Sequence, residues 1–326
     1  MPEITYAQAI NEAISGEMRR DPKVFMLGED IGEYCGAFGV SKGMLAEFGS
    51  ERIMDTPISE RAFVGAAIGA AMAGMRPIVE IMFSDFMSVC YDELVNEAPK
   101  LRFMFGGKVK VPMVMRTPSG SGTGAAAQHS QSLEAILAHM PGLKVVIPST
   151  PYDAKGLLLS AIRDDNPVMF LEQKQLYRTK GEVPEHEYLI PLGEVDIKRS
   201  GSDVTIVTYG KMVQYCLDSA DELEKSGISA EVIDLRTLVP LQTDAIIQSV
   251  KKTKRALIVH EAVQFCGFGA EIAATISDSE AFYYLDAPVR RLGSKFTPIP
   301  FNPILEKAIA PSREEIVLNV KDLVGV

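Results

Sequence analysis

Three titratable side chains in this sequence stand where proton transfer could be done. Glu29 follows the apolar run 24–28. Glu60 closes Asp55-Thr56-Pro57-Ile58-Ser59-Glu60, just before a long Ala/Gly stretch, and His129 lies in Ala125-Ala126-Ala127-Gln128-His129-Ser130-Gln131. A carboxyl and an imidazole at loop mouths can exchange protons with a reacting group. Taken singly, Glu60 also reads as a first-turn helix acid favoured by the macrodipole, and His129 as a satisfied structural histidine. At successive strand ends, where open α/β sheets bind ligands, they would converge on one crevice. Met82, Phe83 and Phe86, after the third expected strand, would line it with apolar surface.

The elements that must position these residues read as α/β. Apolar, β-branched runs alternate with helical patterns, which predicts two domains, each an open, mostly parallel sheet flanked by helices. Strands are expected at 24–28, 52–55, 77–82, 111–116, 144–147 and 168–171, with helices near 59–74, 85–97, 130–139 and 152–163. Thr5-x-x-Gln8 reads as a capping box opening a first helix that buries Tyr6, Ile10, Ala13 and Ile14. The pattern breaks between Glu172 and Ser202, where prolines and charges accumulate. Accordingly the first domain is drawn over 1–185, a linker over 186–202 and the second domain over 203–326. Strands at 204–209, 230–233 and 256–259 follow, with helices near 213–225, 243–250 and 269–277. The proline-rich stretch 297–303 is expected to be extended. Small residues along 62–75 fit either tight packing within the domain or a subunit interface.

Composition narrows the class. The 326 residues carry 33 basic against 43 acidic side chains, a net charge of −10 that argues against nucleic acid as a partner. Cys35, Cys90, Cys216 and Cys266 form no C-x-x-C pair, and with four histidines a zinc site is not expected; reduced thiols in a cytoplasmic compartment are. MPEITYAQAI has no secretory pattern, although a processed organellar chain would look the same. The apolar run 62–75 is too short to cross a bilayer. Gly120-Ser121-Gly122-Thr123-Gly124-Ala125 nearly spells a dinucleotide fingerprint, but the acidic residue about 20 positions on is missing. No P-loop occurs, and a hydrolase elbow is not expected.

At this point the residues carry a resemblance. GED at 28–30, DTPISE at 55–60, GAAIGAAMAGMRPIVE at 65–80, AAAQHSQSLEA at 125–135, PGLKVVIPSTPYDAKGLL at 141–158, AIRDDNPV at 161–168 and VIDLRTLVPL at 232–241 resemble the β subunit of the decarboxylating component of 2-oxo acid dehydrogenase complexes. That is a thiamine-diphosphate enzyme of transketolase-like fold, so the resemblance implies a pyrimidine-binding domain followed by a transketolase-like C-terminal domain. It implies that Glu60 hydrogen-bonds a ring nitrogen of the cofactor's aminopyrimidine and that Glu29 lies beside them. Ile58, Met82 and Phe86 would pack around the cofactor rings. His129 would assist proton transfer while the acyl group passes to a lipoyl arm.

The same resemblance implies a potassium site at Met113, Ala161, Ile162, Asp164 and Asn166, held mostly by backbone oxygens. It implies magnesium for the diphosphate, yet the G-D-G segment that family enzymes use for it is absent. The expected partner is therefore an α subunit, in an α2β2 heterotetramer that carries the missing half of the site. A lipoyl-bearing dihydrolipoamide acyltransferase core and a small 2-oxo acid complete the set. Pyruvate is the expected substrate. Acetoin is the first alternative, since Arg102-Phe103-Met104-Phe105-Gly106-Gly107-Lys108 also resembles acetoin dehydrogenases, and branched-chain 2-oxo acids are the second. A catalytically silent interaction protein would be expected to lack Glu60 or His129, and both are present.

Overall fold

The computed structural model describes residues 1–325. The chain starts with a short strand, β1 (Glu3–Thr5), and then the capping box forms as expected. Gln8 N donates to Thr5 Oγ1 at 3.2 Å and Thr5 N to Gln8 Oε1 at 2.8 Å. With its first-turn donors satisfied, helix Tyr6–Arg20 turns Tyr6, Ile10, Ala13 and Ile14 inward, into one core cluster with Leu157 and Leu158 of helix Pro151–Arg163.

The strands of the first half are β2 (Val24–Gly28), β3 (Ile53–Asp55), β4 (Arg76–Glu80), β5 (Val114–Ser119), β6 (Lys144–Val146), β7 (Val168–Gln173) and β8 (Lys180–Glu182). Those of the second half are β9 (Asp196–Arg199), β10 (Val204–Thr208), β11 (Ala230–Asp234), β12 (Thr237–Val239), β13 (Ala256–Val263) and β14 (Arg290–Ser294). Two sheets result, ordered β12-β6-β7-β5-β4-β2-β3 and β14-β13-β10-β11-β9, and β1 pairs separately with β8. All pairs in the two sheets are parallel except the two that involve β12 and β9. The two-sheet α/β architecture is the one read from the sequence.

Two expected helices are altered. In place of one helix over 85–97 the chain makes a 3-10 turn (Ser84–Ser88), a π-helical turn (Glu93–Glu97) and an α-helix (Ala98–Met104). Ser84 and Asp85 are drawn away to bond the backbone of Gln131, and Pro99 has no N–H for a continuing ladder. The helix expected over 130–139 shrinks to Glu134–Ala138, because the Gln131 carbonyl is taken by Gly120 N at 3.1 Å and Ser84 Oγ at 3.0 Å. The span 186–202, read as a linker, holds β9, which pairs with β11. β12, from the second half, closes the edge of the first sheet against β6. One apolar cluster runs through both halves, from Met169 and Leu171 to Val207, Tyr209, Ile233 and Leu235.

Cys90 and Cys216 are buried, Cys35 is half-buried and Cys266 exposed, all as free thiols. No helix among the described residues is long and apolar enough to cross a membrane.

Candidate active site

The sheet register decides what meets. Gly28 pairs with Asp55 on one side and Glu80 on the other, and Glu80 pairs with Arg116. The carboxyl ends of β2, β3, β4 and β5 therefore lie side by side, and the loops that leave them carry Glu29, Glu60, Met82 and His129. Asp55 holds the first of these loops by accepting from Gly32 N at 2.6 Å.

Glu29 and Glu60 come together at this edge. Their exposures are 8% and 7%. Burial, then the nearby Glu60 charge, pushes the Glu29 carboxyl above the usual range, and its Oε1 has no hydrogen-bond partner. Glu60 opens helix Glu60–Met72 and faces an open cavity of about 590 Å³ lined by Ile58, Ser59, Gly65, Val89 and Glu93. Ile58 stands 85% exposed at its rim. Along the same helix Ala62, Ala66, Gly69 and Ala73 form an exposed stripe, and a side chain at Gly69 would meet nothing within 4 Å. Ala67 and Ala71 of the same helix pack within the domain, so the helix buries small residues on one face and leaves this stripe open on the other.

His129 is caged by aromatic edges. Phe83 and Phe86 stand at 4.8 and 5.2 Å from its ring, both at 79°. The buried Lys174 ammonium donates to the His129 carbonyl and lies 5.4 Å from the Phe83 ring centre. Burial lowers the Lys174 pKa, against the pull of Asp85, Glu261 and Glu306. Met82, half-buried, starts the segment that leads from this cage past Phe86 to Val89 and Glu93 at the Glu60 cavity. Cys90 on that segment is no thiolate: burial, then Glu93 and Glu60, pushes it up to about 12.

Beneath the strand ends lies a buried ion network that the apolar strand pattern concealed. Arg116 bonds Glu80 and makes two bonds to Glu172, at 2.8 and 2.6 Å, and Tyr177 donates to the same Glu172 at 2.6 Å. Burial opposes the Arg116 charge, but the two glutamates outweigh it and raise its pKa. Glu80 is raised by burial despite Arg116. These are charged residues inside parallel strands, a pattern that marks a buried pair.

Residues 120–125 are tied to the second half of the chain. Their amides bind carboxylates of the second half, Ser121 N donating to Glu261 at 2.8 Å and Gly122 N to Glu306 at 2.7 Å. Gly39-Val40-Ser41-Lys42-Gly43 does spell the hydrolase-elbow pattern, but Ser41 is fully buried and its hydroxyl donates a hydrogen bond to the Ile31 carbonyl at 2.5 Å. Met113, Ala161, Ile162, Asp164 and Asn166 gather near the start of β5 and β7, away from the strand ends. Arg76 donates to the carbonyls of Ile162 at 2.8 Å and Asp164 at 2.5 Å, and Arg102 to the Asn166 amide oxygen at 2.6 Å. Protein donors thus fill much of that cluster. Among the described residues no group of three His, Cys, Asp or Glu could hold a metal ion.

Residues 2–180 match the family model described as transketolase, pyrimidine binding domain, and residues 193–316 that described as transketolase, C-terminal domain. The chain is 53% identical over 318 residues to the acetoin:2,6-dichlorophenolindophenol oxidoreductase subunit beta of Cupriavidus necator, covering 94% of each. It is 50% identical over 319 residues to the pyruvate dehydrogenase E1 component subunit beta of Rickettsia felis, covering 98% of each. To the 2-oxoisovalerate dehydrogenase subunit beta of Bacillus subtilis it is 46% identical over 325 residues, 99% of each. Among solved structures, one described as split gene transketolase, inactive beta4 tetramer, superposes with a TM-score of 0.81 at 21% identity, over 99% of this chain and 98% of that one, a likeness of fold.

Proposed function

We propose, from the premise that this chain belongs to the transketolase-like β subunits of the 2-oxo acid and acetoin dehydrogenases, that it supplies one half of the active site that decarboxylates pyruvate and passes the acyl group to a lipoyl arm. The observation that carries this reading is the unpartnered, buried Glu29 oxygen on a carboxyl beside Glu60, which itself lines an open cavity. Such a site calls for a ligand with both a donor and a basic ring nitrogen, and an aminopyrimidine has both. Bound here, thiamine diphosphate would supply the nucleophilic carbon and the electron sink that decarboxylation of a 2-oxo acid requires.

The chain's own residues then do the following. Glu60, in the first turn of its helix, would share a proton with the ring nitrogen. Glu29, shifted toward its protonated form by burial and then by Glu60, offers a donor in that form. Ile58, Met82 and Phe86 shield the rings from water. His129, its ring fixed by Phe83 and Phe86, moves a proton when the acyl group meets the lipoyl sulfur. Magnesium would belong to the α subunit, which would also cover Ile58 and the exposed small-residue stripe, giving α2β2. The second domain would meet the acyltransferase core.

For His129→Ala we expect acyl transfer to a lipoyl protein to fall about 100-fold, the low end for a lost general acid–base group, while turnover with an artificial electron acceptor falls far less. Equal losses would remove the lipoyl role. A second reading has a specific support, the relative at 53% identity that is named for acetoin. Turnover of the assembled α/β protein with thiamine diphosphate and magnesium separates the two. A higher kcat/KM for pyruvate than for acetoin and 3-methyl-2-oxobutanoate supports the first reading, and the reverse order for acetoin replaces it.

A further inference from the structure

We infer that Glu306 is a positioning residue for His129, a carboxylate of the second domain that latches the loop on which the histidine rides. The inference rests on the role proposed above for His129. The loop leaves β5 at Ser119 and reaches helix Glu134–Ala138. Gly122 and Gly124 take φ values of +95° and +68° there, a conformation open to glycine, and their N–H groups turn toward one carboxylate. Gly122 N donates to Glu306 Oε1 at 2.7 Å and Gly124 N to Oε2 at 3.1 Å. Glu306 is buried, on helix Pro303–Ile309, which Asn302 caps through Ile304 N at 2.9 Å.

The other fastenings of the loop also come from elsewhere in the chain. Ser121 is held by Glu261, whose Oε1 also meets Lys211 Nζ at 2.5 Å. Gln175 Nε2 donates to Gly122 O at 3.0 Å, and Lys174 grips the His129 carbonyl at the far end. Packing holds the His129 ring between Phe83 and Phe86, but not the whole backbone of the loop. Behind Ala127, Ser130 and Gln131 lies a cavity of about 380 Å³, with Phe296, Pro298 and Ile299 on its opposite wall. The backbone around Ala127 therefore has room to shift, and the carboxylate bonds at Gly122 and Gly124 fix how the chain enters that stretch. Two charge-assisted bonds to one rigid pair of oxygens set the path from Gly122 to His129.

Glu306→Gln keeps the shape but offers one acceptor oxygen, and its amide nitrogen would face an N–H. In the assembled α/β protein this variant is expected to speed hydrogen exchange at Gly122 and Gly124 about tenfold or more. Transfer to a lipoyl protein should fall about tenfold in kcat, with turnover to an artificial acceptor within about twofold of the parent. Glu306→Asp, too short to span both amides, should fall between the two. Unprotected amides at Gly122 and Gly124 in the parent protein, a measurement that needs no variant to fold, would overturn the latch. So would equal loss of both reactions in Glu306→Gln. His129→Ala run in parallel separates the two ideas: a split there with none in Glu306→Gln sinks the latch, whereas no split in His129→Ala sinks the histidine's role and leaves hydrogen exchange to judge the latch.

Discussion

Glu60→Gln is expected to leave the α/β assembly intact and to lower turnover at least about 1000-fold, whichever substrate is used. Glutamine fills the same volume at the start of helix Glu60–Met72, so packing around Phe63 and Val64 is undisturbed. What it removes is the carboxyl proposed to share a proton with the ring nitrogen. Loss of one positioned acid–base group costs about 10²–10⁴ in rate, and a thousandfold is about 4 kcal/mol of barrier. The readout closest to the chemistry is deuterium exchange at the cofactor's reactive carbon. Parent-like exchange in Glu60→Gln would refute the role given to this carboxylate. Glu29→Gln imitates the protonated form that burial and Glu60 favour, so its loss should be smaller and should leave the neutral-pH rate nearly flat. In the parent, deprotonating Glu29 as pH rises through its raised pKa removes the donor.

Arg116→Met is expected to cost the folded protein about 3–5 kcal/mol, the penalty of leaving a buried charge without its partner. Two charges are left here, Glu80 and Glu172, both buried. The effect should show as a lowered denaturant midpoint with little change in slope. Its pH dependence has a definite sign. Glu80 already has a raised pKa, and without the guanidinium it rises further. Its burial penalty is then absent below the unfolded pKa, where both states are protonated, and grows as pH rises through the range between the two values. The variant should lose most at neutral pH and recover in acid. Adding Glu80→Gln and Glu172→Gln should restore much of the loss; failure to do so would mean that packing, and not charge, explains the damage.

Much of this site was legible because local chemistry and sheet position agree. Val204–Thr208 and Gly269–Ser277 stand where their residue patterns put them, within a residue. Glu29, Glu60 and His129 were readable as strand-end residues because open sheets gather such ends on one side. What escaped has a common cause: it depends on partners far away in sequence. Glu306 lies 184 residues from Gly122, and nothing around it marks a latch. Lys174 looks like an ordinary surface lysine next to a strand, yet it ends up buried on the His129 carbonyl. Arg116 and its glutamates sit in runs whose apolar neighbours dominate the strand signal. The altered helix at residues 84–104 follows from tertiary bonds of Ser84 and Asp85 overriding propensity.

The strand β12 has a consequence for how the molecule is made. Residues 237–239 cover the outer edge of β6, and they leave the ribosome about ninety residues after β6 itself. Until then the nascent first sheet carries a bare row of backbone donors and acceptors, the template on which other chains pair. At ordinary synthesis rates of about 5–20 residues per second, the exposure lasts several seconds. A polypeptide released before residue 237 would keep that edge open for good. The chain's two halves are thus two domains by their sheets, but a single unit for quality control: a truncated first half should seek another strand, most readily from its own kind, and be found in aggregates or with chaperones.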